Sequence, residues 1–102
     1  MSRKVWQRGD IVVASFDPTL GQEQQGRRPG IVVTHADLNR PGMIGVCPIT
    51  QGGMGAGTQT QGVVLVHQFR MIDPSQRGLT LIEQAPDDLV EEVRARVAAM
   101  LD

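Results

Sequence analysis

The sequence predicts a small, mainly β domain that ends in one α-helix. Short apolar runs rich in β-branched residues alternate with glycine, proline and amide residues along most of the chain, which favours strands over helices. The last segment instead has apolar residues at helical spacing after a proline and several acids. With 102 residues, 40% of them hydrophobic, the chain fits a single domain, residues 1–102, around one modest core.

Five of these runs are predicted to form strands. Several are apolar at successive positions and are therefore expected to be buried on both faces. In so small a chain this indicates a barrel, or a sheet covered by a helix and by a dimer partner. The runs comprise residues 11–16, 30–34, 43–49, 62–66 and, more weakly, 79–82.

Two helices are predicted. A short one follows the second strand, with Thr34 as its N-cap and Asp37 completing a capping box before Pro41 and Gly42 end it. The longer one begins near Pro86 and has acids in its first turns, where the positive end of the helix dipole favours them. The apolar face that should pack on the core comprises Leu89, Val90, Val93, Val97, Met100 and Leu101.

Charge is distributed unevenly along the chain, although the formal net charge is only -1. Residues 1–85 contain eight Lys or Arg against six Asp or Glu, whereas residues 86–102 contain two against five. An anionic partner for the positive body and ordinary solvated charge both fit this pattern, because net charge speaks to association and not to fold.

The lone Cys47 excludes an internal disulfide, and its apolar neighbours predict a buried strand thiol instead of a nucleophile. This fits a reducing cytoplasm. No apolar run is long enough for a signal peptide or a membrane span. A soluble, cytoplasmic protein without a membrane partner is therefore expected.

Candidate site residues concentrate in the polar segment 17–29, between the first two predicted strands. Arg27 and Arg28 offer forked donors suited to phosphate, and Glu23 could accept a proton or orient an arginine. Thr50, at the end of a predicted strand, could donate a hydrogen bond to a phosphoryl oxygen. A surface loop held by salt bridges would have the same composition.

Metal and cofactor sites are not predicted. The two histidines, His35 and His67, are far apart in sequence, and the chain has no Cys-x-x-Cys pair. The glycine-rich segment 51–62 is not followed by a helical pattern that could bind a phosphate at its N-terminus.

Four motifs in a fixed order resemble the toxin ribonucleases of type II toxin–antitoxin modules, the MazF, Kid (PemK) and ChpB family. They are RGDIV before FDP, EQQGRRP, PITQGG and GVVLVHQFRMID, and they cover nearly the whole chain. The resemblance implies a small SH3-like β-barrel with a C-terminal helix. It also implies a homodimer, inhibited by a cognate antitoxin protein, that cleaves single-stranded mRNA without a metal and so inhibits translation.

In this family the ribose 2'-hydroxyl attacks the adjacent phosphate, which leaves a 2',3'-cyclic phosphate and a 5'-hydroxyl end. By its motif Arg28 corresponds to the catalytic arginine, Thr50 to a phosphate-contacting threonine and Glu23 to an acidic residue of the same loop. Arg28 should act electrostatically, because an arginine is a poor general base. The residues expected to contact RNA are Thr19, Gln22, Gln24, Arg27, Gln51, Gln68 and Arg70.

Three departures from the family pattern are visible. Gln22 stands where Kid-like members have a histidine, and His67 where many members have Asp or Asn. We hypothesise that His67 takes part in proton transfer; a contact between His67 and a base or a partner loop is equally open. Family members also carry an additional strand before the Gly-Val-Val run, so either the barrel edge is shortened here or natural residues are missing between Gly53 and Met54.

Two non-catalytic functions remain open from the sequence. Toxins that trap DNA gyrase use the same barrel and rely on the C-terminal helix, and a degenerate barrel could bind only RNA or an antitoxin. A supercoiling assay beside a ribonuclease assay separates these functions. The base preference is not predicted, because pockets that hold individual bases determine it.

Overall fold

The structure is a computed structural model that describes residues 5–15, 27–50 and 62–102. Five strands are present in this part of the chain: β1 (Asp10–Ser15), β2 (Arg27–Val32), β3 (Ile44–Pro48), β4 (Arg70–Ile72) and β5 (Thr80–Gln84). Three helices accompany them: α1 (Ala36–Asn39), α2 (Pro74–Arg77) and α3 (Asp87–Met100). A single 3-10 turn spans Val66–Gln68. Among the residues described, no helix has the length and apolar character needed to cross a bilayer.

The strands form one antiparallel sheet in the order β4-β3-β2-β1-β5. The first four follow one another as a meander, and the last returns to pair with the first. Ile72 of β4 and Leu81 of β5 pack in the same core cluster, so the sheet curls until its two edge strands enclose one core. The predicted mainly β fold, with a short helix after strand two or three and a helix at the C-terminus, is confirmed, and the short helix follows β2.

Alternate residues of the central strands supply two cores, one on each face of the sheet. The inner cluster lies inside the curl and contains Trp6, Val12, Ala14, Val32, Ile44, Val46 and Ile72. The helix-side cluster lies between the sheet and α3 and contains Ile11, Ile31, Val33, Cys47, Ile49, Ala85, Val93 and Val97. Burial on both faces is the reason that the runs are apolar at successive positions.

Helix α3 follows its predicted apolar face over most of its length. Val93 and Val97 are only 3% and 6% exposed, and Leu89 and Val90 pack at the border of the helix-side cluster. Met100 and Leu101 are 48% and 79% exposed, so their predicted packing is wrong. The apolar spacing continues past the end of the surface that the helix covers.

The cap of α1 is one residue away from the predicted one. His35 is the N-cap, and its Nδ1 accepts a hydrogen bond from the N–H of Asp37 at 3.1 Å. Thr34 has another role: its hydroxyl accepts from the N–H of Gly45 at 2.9 Å and donates to Oδ1 of Asn39 at 2.5 Å. A tertiary contact therefore uses the hydroxyl that the sequence pattern assigns to a local cap.

Three other segments differ from the prediction: residues 62–66, β4 and α2, of which β4 was not predicted as a strand. Residues 62–66 form a single bridge between Val64 and Ile49 and then the 3-10 turn, not a full strand. Helix α2 was not predicted, although its ends carry signals: the carboxylate of Asp73 accepts from the N–H of Ser75 at 3.0 Å, and Gly78 takes the left-handed conformation at φ 61°. With only four residues, α2 has no apolar periodicity to detect.

Candidate functional site

Strand pairing brings Arg28 and Thr50 together. The N–H of Ile49 donates to the carbonyl of Pro29 at 2.9 Å, which continues the β2–β3 register by one residue. In that register the next opposed pair is Arg28 and Thr50. Because the preceding position is hydrogen-bonded, this one is not, and opposed side chains at such positions lie on one face with Cβ atoms about 4.5–5.5 Å apart.

The pair lies at the rim of the face that carries the inner cluster. Ala14 of β1 is the other neighbour of Arg28 across the sheet and is fully buried in that cluster. Arg28 itself is exposed, and Thr50 is half-buried. Within the ranges described, no ion pair joins Arg28 to a carboxylate.

Thr50 is held by residues 62–65, which run antiparallel to the end of β3. Its N–H donates to the carbonyl of Val63 at 2.9 Å, and its Oγ1 accepts from the N–H of Val63 at 3.2 Å. The N–H of Leu65 donates to the carbonyl of Pro48 at 2.8 Å. Both the backbone and the hydroxyl of Thr50 are thus fixed by one neighbouring segment.

His67 and Gln68 lie in the 3-10 turn, and both are exposed. The residues on either side of them, Val66 and Phe69, pack against the helix-side cluster, which is on the face opposite to Arg28 and Thr50. No described hydrogen bond or ion pair connects His67 to that pair. In the part of the chain described, Arg28 and Thr50 are thus opposed across the strands, whereas His67 lies in a turn whose neighbours pack on the other face.

Arg70 lies on the same face as Arg28. It is opposite Val46, a member of the inner cluster, in the β3–β4 register. Since Val46 precedes Thr50 by four residues in an extended chain, Arg70 is about 14 Å from Thr50 along and across the strands.

Several predicted site residues lie outside the described part of the chain. They are Thr19, Gln22, Glu23, Gln24 and Gln51, and their predicted roles stay predictions. The interval between Gly53 and Met54 also lies there. Arg27 is the first residue of β2, opposite Ser15, but its side chain is not among those described.

Arg77 is a cation near the site that sequence analysis did not single out. Its Nη1 donates to the carbonyl of Ser15 at 3.3 Å, which ties α2 to the last residue of β1. The predicted loop 17–29 begins just beyond that residue. Asp73 and Gly78 are the sequence signals for the two ends of α2, and Arg77 is the last residue of that helix. Recognising α2 from these signals would have drawn attention to Arg77.

Cys47 is fully buried in the helix-side cluster, as predicted. Burial raises the pKa of its thiol to about 11, because the apolar surroundings disfavour the thiolate. A nucleophilic role for this residue is not supported.

The chain matches the family described as "PemK-like, MazF-like toxin of type II toxin-antitoxin system" over residues 7–101. It is 39% identical to "Endoribonuclease toxin ChpB" of Escherichia coli, over 100% of this chain and 99% of that protein. It is also 39% identical to "Endoribonuclease PemK" of Escherichia coli, over 93% and 81%. A crystal structure of MazE-MazF from Deinococcus radiodurans aligns with a TM-score of 0.81 at 30% identity, covering 95% of this chain and 96% of that one.

The alignment with the ChpB toxin also shows that this chain is shorter. The alignment spans 115 positions, whereas the chain has 102 residues. At least 13 aligned positions therefore have no residue in this chain. Both alternatives stated above, a shortened barrel edge and residues missing near Gly53 and Met54, fit this difference. The predicted place of the shortening lies outside the residues that the structure describes.

Proposed function

Because the chain belongs to the PemK-like, MazF-like toxin family of type II toxin–antitoxin systems, we propose that it is a toxin that cleaves single-stranded mRNA at selected sequences. It would act without a metal and would inhibit translation and growth. The observation that supports this best is the β2–β3 register: extended past the bond between Ile49 and Pro29, it sets the exposed cation Arg28 opposite the hydroxyl of Thr50. The relatives named above are endoribonucleases, which favours cleavage over gyrase poisoning.

The proposed reaction is an internal phosphoryl transfer. The bond from the 2'-oxygen to phosphorus forms and the bond from phosphorus to the 5'-oxygen breaks, while the 2'-hydroxyl loses a proton and the leaving oxygen gains one. Arg28 would stabilise the charge that builds up on the phosphorane, and Thr50 would donate a hydrogen bond to one of its oxygens. Neither role requires a change in protonation of these two residues.

Proton transfer needs a further group, and we propose Glu23 and His67 as the two candidates. Glu23 belongs to the loop next to Arg28 in sequence. His67 lies in a turn anchored on the other face, so an acid–base role would require the bound RNA to pass the sheet edge at that turn. A pH–rate profile measured for His67→Asn distinguishes the two candidates. Loss of one limb of the profile would assign proton transfer to His67, and an unchanged profile would leave Glu23 as the candidate.

The partners of this chain are proposed from its relatives. The solved relative is named as a complex of MazE with MazF, and we propose that a cognate antitoxin likewise binds and inhibits this chain. We further propose that it acts as a homodimer in the cytoplasm. A reducing compartment is compatible with its single buried thiol.

The decisive experiment is cleavage of single-stranded RNA in excess chelator, with the fragment ends mapped by sequencing. We expect discrete fragments with 5'-hydroxyl ends. Arg28→Ala should lower the rate by about a hundredfold or more, because removing one preorganised donor to a developing oxyanion costs that much. Arg40→Ala is the matched control, since Arg40 is an exposed arginine at the C-terminal end of α1. Full activity in Arg28→Ala would contradict the proposed site.

A further inference from the structure

We propose that the backbone at Gly62 and Val63 is a positioning element that fixes the hydroxyl of Thr50 for catalysis. The inference rests on the ribonuclease function proposed above. Two backbone hydrogen bonds already hold this segment against the end of β3: Thr50 N–H donates to the carbonyl of Val63, and Leu65 N–H donates to that of Pro48. Together they form the bridge between Val64 and Ile49. The bond from the N–H of Val63 to Oγ1 of Thr50 is additional, and it acts on a side chain.

That bond determines what the hydroxyl can do. A threonine hydroxyl has one proton to donate and two lone pairs that accept. With one lone pair of Oγ1 directed at the N–H of Val63, the side chain has one preferred χ1 value, and the β-branched residue is stiff in any case. The hydroxyl proton is then free to be donated to a phosphate oxygen without a rotamer search when RNA binds.

Gly62 makes this close approach possible. Its φ is +144°, a conformation that side chains rarely adopt, and a Cβ at this position would lie 1.6 Å from the carbonyl oxygen of Thr50. It would also lie 2.9 Å from Cγ2 of Ile49. Any larger residue would therefore push the segment away and lengthen both hydrogen bonds between Val63 and Thr50. Gly62 and Val63 are positioning residues, since they act through Thr50.

Gly42 provides a matched control for the strain at Gly62. Its φ is also positive, at +122°, but a Cβ there would meet nothing within 4 Å. Gly42→Ala thus carries the backbone penalty of a left-handed residue without a displaced neighbour. A loss of activity caused by strain alone would appear in both glycine variants, whereas loss of hydroxyl positioning would appear only in Gly62→Ala.

A double-mutant cycle on ribonuclease activity tests the coupling. Gly62→Ala should lower kcat about tenfold with little change in KM, and Thr50→Val should lower kcat about tenfold to a hundredfold. In the Thr50→Val background, Gly62→Ala should cost less than twofold, since the hydroxyl that it positions is gone. An equal loss from Gly62→Ala in both backgrounds, or no loss in the wild-type background, would overturn the inference.

Amide hydrogen exchange tests the hydrogen bond without any activity measurement. In Thr50→Val the amide of Val63 should exchange at least severalfold faster, while the amide of Leu65, which donates to Pro48, should not change. Unchanged exchange at Val63 overturns the positioning role even if the enzyme is active. Conversely, a wild-type protein that cleaves no RNA refutes the proposed function and the catalytic part of this inference together, whatever the exchange result.

Discussion

Replacement of Asn39 by alanine is expected to destabilise the fold strongly, because this buried side chain makes three hydrogen bonds that join two segments. Asn39 is only 4% exposed. Its Nδ2 donates to the carbonyl of Trp6 at 2.7 Å and to the carbonyl of Thr34 at 3.0 Å, and its Oδ1 accepts from the hydroxyl of Thr34. It thereby connects the residues before β1 to the segment between β2 and β3.

The magnitude follows from the number of groups that lose a partner. Asn39→Ala removes three hydrogen bonds, each worth about 1 kcal/mol net, and leaves the buried carbonyl of Trp6 without this donor, so the free energy of unfolding should fall by about 3 kcal/mol. For a domain of this size that corresponds to a fall in Tm of about 15 °C. Alanine is a better helix former than asparagine, which offsets only a few tenths of a kcal/mol.

The assay is urea unfolding at a fixed protein concentration, read as a shift of the midpoint at an unchanged m-value. Asp37→Asn in the same helix is the control, because Asp37 is exposed and its ion pair with Arg40 spans 3.9 Å; its effect should stay below about 0.5 kcal/mol. A loss of less than about 1 kcal/mol in Asn39→Ala would refute the reasoning, since the carbonyl of Trp6 would then have another partner.

Three further predictions concern the core. Val97→Ala should lower the free energy of unfolding by about 2 kcal/mol, whereas Met100→Ala, on the exposed last turn of α3, should change it by less than about 0.5 kcal/mol in thermal unfolding; similar losses in both would contradict the packing described. Cys47 should resist iodoacetamide at pH 8.5 in the folded protein and react after unfolding, and rapid labelling of the native state would contradict its burial. Because the pKa of its thiol is raised to about 11, unfolding should also become easier from about pH 9 to 11, where the unfolded thiol ionises and the folded one does not.

The longer elements could be predicted from the local sequence pattern. The runs that became β1, β2 and β3 are apolar at successive positions because both faces of the central sheet are buried, and α3 shows helical spacing over a buried stripe. Elements too short for a period escaped prediction: β4 has three residues and α2 has four. Met100 has the helical spacing of the buried residues of α3 but is exposed. Spacing along a helix does not indicate where the sheet beneath the helix ends.

The site was predicted in its parts but not in its arrangement. The motifs identified Arg28 and Thr50 separately, and the strand register decided that they oppose each other. His67 belongs to the same motif as Val63, yet the turn that carries it is anchored on the helix side, whereas the N–H of Val63 bonds Thr50. The backbone of Val63 and the turn that carries His67 thus make different contacts, although they are close in sequence.

The sequence by itself determined the strand-forming runs, the C-terminal helix, the burial of Cys47 and the family motifs, since each depends on the order and type of neighbouring residues. Tertiary structure alone decided the opposition of Arg28 and Thr50, the partners of Asn39 and the need for glycine at position 62. These features depend on pairing between segments distant in the chain. The register of such pairing follows from hydrogen bonds and packing across the whole sheet, and a shift of one residue would exchange the two faces of a strand.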